Sequence, residues 1–177
     1  MKVADWQADK RWSDRFLREI KSILGVYLIA EPSPDEDAER NTDLMVLRMD
    51  AVRIGCRIRK HPYLARYGGE FTIRSGRPIG VKTELTKIVE GWGDYFFYGF
   101  ASEQEAGLCR WTLADMKVFR LWYNRQLVRL PAGKTPGISK PNADNSSDFV
   151  AFRWADMPPE FVVATETTHH RHSTEVI

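Results

Sequence analysis

Apolar residues recur at helical spacing near the start of the chain: Trp12, Phe16, Ile20, Ile23, Leu24 and Tyr27, with Arg15, Arg18, Lys21 and Ser22 between them. This pattern predicts one helix over residues 5–30, with Asp9 or Ser13 able to cap its start. Glu31-Pro32-Ser33-Pro34 ends it, because proline lacks an amide hydrogen and biases the preceding residue away from αR. Residues 35–40 form an acidic loop. The period then falls to two. Leu44–Arg48 and Ala51–Arg59, joined by a short Met-Asp turn, predict a hairpin. In its second arm Val52, Ile54, Cys56 and Ile58 face one way and Arg53, Arg57 and Arg59 the other, giving one buried and one charged face. After a loop over 61–69, Glu70–Ser75 repeats the alternation, with Phe71 and Ile73 opposed to Glu70, Thr72 and Arg74.

Helical spacing returns at Leu85, Ile88, Val89 and Trp92, with Thr83 as the N-cap and Gly91 and Gly93 as the stop. Asp94–Ala101 (DYFFYGFA) is aromatic at nearly every position, as expected of a strand covered on both faces. A short strand over Leu108–Leu113 leads to Asp115, which can cap a helix carrying Val118, Phe119, Leu121 and Trp122. Residues 131–148 are rich in Pro, Gly, Lys, Asn and Ser and read as a flexible loop; Phe149–Trp154 is a last strand before a polar tail. Helices before and after a strand meander predict an α/β fold: a mixed central sheet with an α-β-β-β-α-β core flanked by helices. The expected organisation is a core over 1–130, the loop 131–148, a C-terminal strand returning over 149–164 and the tail 165–177.

Composition adds little to this but excludes several classes. Of 177 residues, 43% are hydrophobic and 12% aromatic, enough for a real core. No apolar run approaches the length of a membrane span and the charged start does not read as a signal peptide, so a cytoplasmic location is expected. Cys56 and Cys109 are the only cysteines, too few and too far apart for a disulfide scaffold or a zinc site, and they fit a reduced compartment.

Charge changes the picture more. The net value is only +2, yet residues 31–43 carry six acids against Arg40, while residues 51–83 carry eight bases against Glu70. Such a basic stretch is the footprint of a phosphate-backbone binder, with Arg57, Arg59, Lys60, Arg77 and Lys82 as candidate contacts. The alternative is a row of arginines that keeps a sheet edge soluble. Asp43 opens the first strand of the meander and Glu70 the third. If those strands are neighbours, two carboxylates meet amid positive charge, the arrangement that metal-assisted phosphodiester hydrolysis needs. Otherwise Asp43 is a turn residue and Glu70 a salt-bridge partner. Glu84 and Lys87 likewise read either as part of a site or as an exposed i, i+3 helical pair.

In this order of elements, about residues 10–122 resemble the PD-(D/E)XK nuclease superfamily, in particular its Holliday-junction-resolvase-like branch. Asn41-Thr42-Asp43-Leu44-Met45-Val46 looks like the family's small-polar-Asp-apolar entry. The helix at 83–92 and the aromatic strand at 94–101 fall where the family places its second helix and fourth strand. In the tightest register the (Asp/Glu)-x-Lys position reads Gly55-Cys56-Arg57-Ile58-Arg59, without an acid. In a looser register Glu70-Phe71-Thr72 fills it, with Thr72 in the lysine's place and Arg74 one step on. The resemblance implies DNA as partner and Mg²⁺ or Mn²⁺ held by Asp43 and Glu70. Thr72, Arg74 or Lys87 would orient water or steady the phosphate, and Glu84 would be an extra ligand. It also implies homodimers where both strands are cut. A catalytically inactive member that only binds nucleic acid, or a module contacting a protein partner through the acidic loop, has the same sequence signature.

Overall fold

The computed structural model describes residues 6–30, 45–46, 52–76, 82–142 and 147–167. The chain divides into two compact units, one spanning Gln7–Val52 and the other running from Arg53 to the C-terminus together with residues 1–6. Strands on either side of residue 130 share the second of these units.

In the first unit the expected single helix is two, α1 (Trp6–Asp14) and α2 (Leu17–Leu28). The break has a local cause. The Ser13 hydroxyl turns back to donate to the Lys10 carbonyl at 3.0 Å, and the Phe16 amide donates to the Ser13 carbonyl at 3.1 Å, a three-residue closure. Trp12 packs edge-on against Phe16, with ring centroids 5.2 Å apart. After α2, β1 (Ile29–Ala30) pairs antiparallel with β2 (Met45–Val46). The turn expected to join this second segment to the next strand lies outside the described residues.

The second unit carries the main core. Strand β3 (Ile54–Arg59) leads through helix α3 (Pro62–Tyr67) to β4 (Glu70–Gly76), then through helix α4 (Glu84–Val89) to β5 (Tyr95–Ala101). β3 and β5 are parallel, which requires the intervening chain to cross over between them. β6 (Leu108–Asp115) and β9 (Val162–Thr167) add antiparallel pairs, giving a mixed sheet in the order β3-β5-β6-β9. β4 instead pairs with β8 (Asp148–Arg153), which pairs with β7 (Ile138–Pro141), in a second, antiparallel sheet. The α/β class holds, but the expected hairpin and meander do not form: β2 pairs with β1, β3 with β5 and β4 with β8, three different sheets, and α3 stands between β3 and β4. β7 arises inside the segment expected to be a loop. Its pairing with the apolar β8 gives order to a Pro- and Gly-rich sequence whose own propensity is low.

Aromatic residues fill the space between elements. Phe71, with no exposed surface, lies 5.4 Å from Phe152, 5.3 Å from Phe161 and 4.5 Å from Trp154, measured between ring centroids. Helix α5 (Met116–Leu127) brings Phe119 into the same cluster, 5.2 Å from Phe152. β5 is covered on both faces as its composition predicts: Phe96, Tyr98 and Phe100 join this core, while Phe97 stacks on Trp111. Asp115 caps α5 by accepting from the Lys117 and Val118 amides, and Thr83 caps α4 by accepting from the Thr86 amide, both at the expected residues. Phe71→Ala is expected to lower the free energy of unfolding by about 3–5 kcal/mol in a denaturant titration, against about 0.5 kcal/mol or less for Leu121→Ala on the exposed side of α5.

Candidate phosphate-binding site

The alternation of β4 decides which side chains meet. Phe71 and Ile73 enter the core, so Glu70, Thr72 and Arg74 take the opposite face. That face is itself covered in the middle, where Thr72 is buried. Its hydroxyl oxygen accepts from Arg57 Nη1 at 3.2 Å and from Arg59 Nη1 at 3.3 Å, and lies 3.5 Å from the Tyr98 hydroxyl. One small acceptor therefore fixes two guanidinium groups from β3. Arg59 is further held over the Tyr63 ring at 4.8 Å. Burial along β3 departs from the expected alternation: Cys56 is exposed, whereas Arg57 and Arg59 are partly buried.

Arg57 also ion-pairs with Glu84, the first residue of α4. The same Glu84 Oε2 accepts from the Arg74 backbone amide at 3.1 Å, tying α4 to β4. Glu84, Arg57, Arg74, Lys82 and Lys87 together line one cavity of about 330 Å³. Four cations thus face it against one carboxylate. Lys82 donates to both Glu90 oxygens at 2.8 Å, an exposed ion pair, while Lys87 has no ion-pair partner among the described residues. Ile88, Phe96 and Met116 form an apolar floor, and Trp92 and Tyr95 stand at the same cavity.

Glu70 is not part of this cluster. It lies at the other end of β4, about 13 Å along the strand from Arg74, where its carboxylate is 3.8 Å from Lys140 Nζ. Lys60 is exposed beyond the end of β3. Asp43 and Arg77 lie outside the described residues. Among the described residues no group of three or more His, Cys, Asp or Glu side chains could hold a metal ion. Glu70 and Glu84 are too far apart to share an ion whose ligands sit about 2–2.5 Å away, and Glu84 is already engaged by Arg57 and the Arg74 amide. Glu70 and Glu84 therefore do not form a shared site for Mg²⁺ or Mn²⁺, while the expected pairing of Glu70 with Asp43 falls partly outside the described residues. Cys109 adds no nucleophile here. It is buried, donates to the Ala101 carbonyl at 3.2 Å, and has its thiol pKa pushed up by burial.

Helical spacing places Trp92 on the apolar stripe of α4. In the structure it is 59% exposed, beyond the helix end, with the Arg53 guanidinium over its ring at 5.6 Å. The flanking Gly91 and Gly93 were the available signal, since they stop the helix before Trp92 is reached.

The chain matches no family model, no curated protein and no solved structure. Among the described residues no helix is long and apolar enough to cross a membrane.

Glu84 serves as the structural clamp of this cavity. Glu84→Ala leaves Arg57 and the Arg74 amide without their acceptor and is expected to cost about 1–3 kcal/mol in chemical denaturation. Lys82→Ala, which breaks an exposed pair, is expected to cost about 1 kcal/mol or less. Equal losses for the two variants would refute the distinction.

Proposed function

We propose that this domain binds nucleic acid through its phosphates, using the cavity lined by Arg57, Arg74, Lys82 and Lys87. The observation that carries this reading is the convergence of four cations, Arg57 from β3, Arg74 from β4, Lys82 from just before the α4 cap and Lys87 from α4, on one opening that holds a single carboxylate. That carboxylate is paired with Arg57, so it orients one guanidinium and offsets one of the four positive charges. Arg53, Arg59 and Lys60 lie close to Arg57 in the chain and add further positive charge, which suits a polyanion better than a single phosphate group. Arg57 and Arg59 are held in fixed orientation by Thr72, so little side-chain freedom is lost when they meet phosphate oxygens.

Cleavage of DNA is a second reading, favoured by α4 and β5, which stand where the resemblance places a second helix and a fourth strand. It would depend on Asp43, because the described carboxylates do not make a metal site by themselves. Nicking of a plasmid in Mn²⁺ that is lost in Asp43→Ala would support it. Absence of nicking on any DNA form would leave a binding module.

Binding is expected to weaken steeply with salt. With about four phosphates neutralised, the slope of log K against log salt concentration should be about −3, read by fluorescence anisotropy of a labelled oligonucleotide. Lys87→Ala should reduce its magnitude by about 1 and weaken all sequences alike. Salt-independent binding, or no affinity for any polyanion at low salt, would overturn the proposal.

A further inference from the structure

Phosphate binding accounts for the cations of this cavity but not for its other half. Trp92 and Tyr95 stand beside an apolar floor of Ile88, Phe96 and Met116, surfaces that a phosphate group has no use for. Trp92 is also held out deliberately. It lies between Gly91 (φ 103°) and Gly93 (φ 81°), both in the left-handed region that side-chain-bearing residues avoid. A Cβ at either glycine would meet nothing within 4 Å, so backbone conformation, not space, requires glycine at both positions. The turn is anchored on each side. The Trp92 amide donates to the Lys87 carbonyl at 3.0 Å, Arg120 Nη1 donates to the Gly93 carbonyl at 2.9 Å, and Asp94 exchanges backbone and side-chain bonds with Arg53. A large apolar ring left 59% exposed on so fixed a turn lies beside four phosphate-seeking cations.

Resting on the nucleic-acid reading, the geometry points to an unpaired base as what this half of the cavity takes: the indole of Trp92 is the stacking platform for a nucleobase whose flanking phosphates meet Lys87, Arg74 and Arg57. The substrate class is then single-stranded nucleic acid, or a duplex with an unstacked nucleotide. In a regular duplex both faces of each base are covered by its neighbours and no indole can reach them, whereas in a single strand every base offers a free π-face. Arg53 lies over one face of the indole in a cation–π contact, so the base stacks on the opposite face.

The test uses the full chain and three probes of equal length at one low salt concentration, read by anisotropy: an oligothymidylate strand, an abasic strand with the same sugar-phosphate backbone, and a blunt duplex. Wild type should bind oligothymidylate about tenfold more tightly than the abasic strand, the size expected of one stacked base. Trp92→Ala should erase that difference while leaving abasic and duplex affinities unchanged, and Trp92→Phe should retain most of it. Equal wild-type affinity for oligothymidylate and the abasic strand would overturn the inference while sparing the phosphate site. So would a Trp92→Ala variant that weakens all three probes alike, which would make Trp92 a structural residue. Failure of all three probes to bind wild type would overturn the phosphate reading, and this inference with it.

Discussion

Strand β4 sets two environments back to back, and the second unit depends on their separation. Its odd positions, Phe71 and Ile73, are fully removed from solvent within the aromatic core. Its even positions meet charge: Thr72 under two guanidinium groups, Arg74 beside Glu84. A shift of one residue in register would exchange these faces, placing arginine in the core and phenylalanine at the cavity. Pairing with β8 runs from Glu70 opposite Arg153 to Arg74 opposite Phe149, and the stacking of Phe71 on Phe152 follows directly from it. Hydrophobic packing thus fixes the register, and the register places the charges.

Much of this was legible because alternation is a short-range signal. Phe71 and Ile73 against Thr72 and Arg74 needed no tertiary information, and neither did the capping roles of Thr83 and Asp115. Both-face burial of β5 followed from its run of aromatics. What escaped was set by distant partners. β7 exists because β8 offers it a hydrogen-bonding edge, which a Pro-Gly-rich sequence does not announce. The N-terminal helix breaks where a serine hydroxyl competes for a backbone carbonyl, a choice that apolar spacing does not encode. Glu70 was read with Thr72 and Arg74 because it shares their face, yet a shared face does not make a shared site on a strand seven residues long.

The candidate site was legible in part. The basic composition of residues 51–83 marked the surface, and Arg57, Arg74, Lys82, Glu84 and Lys87 do line one cavity. Their roles differ from what motif position implied. Thr72, standing where a lysine was sought, spaces two arginines; Glu84, read as an additional ligand, orients one of them. A carboxylate and a hydroxyl spent in this way preorganise cations, which lowers the ordering cost of binding an anion.

The Gly91-Trp92-Gly93 turn has a consequence for how such a surface can change. Its conformation is set by two glycines and by bonds to backbone atoms, and none of those bonds involves the indole. The holder is therefore independent of what it holds. Position 92 behaves as a socket: evolution, or a protein engineer, can exchange the group displayed there for a smaller ring, a hydrogen-bonding head or a reporter dye without rebuilding the scaffold beneath it.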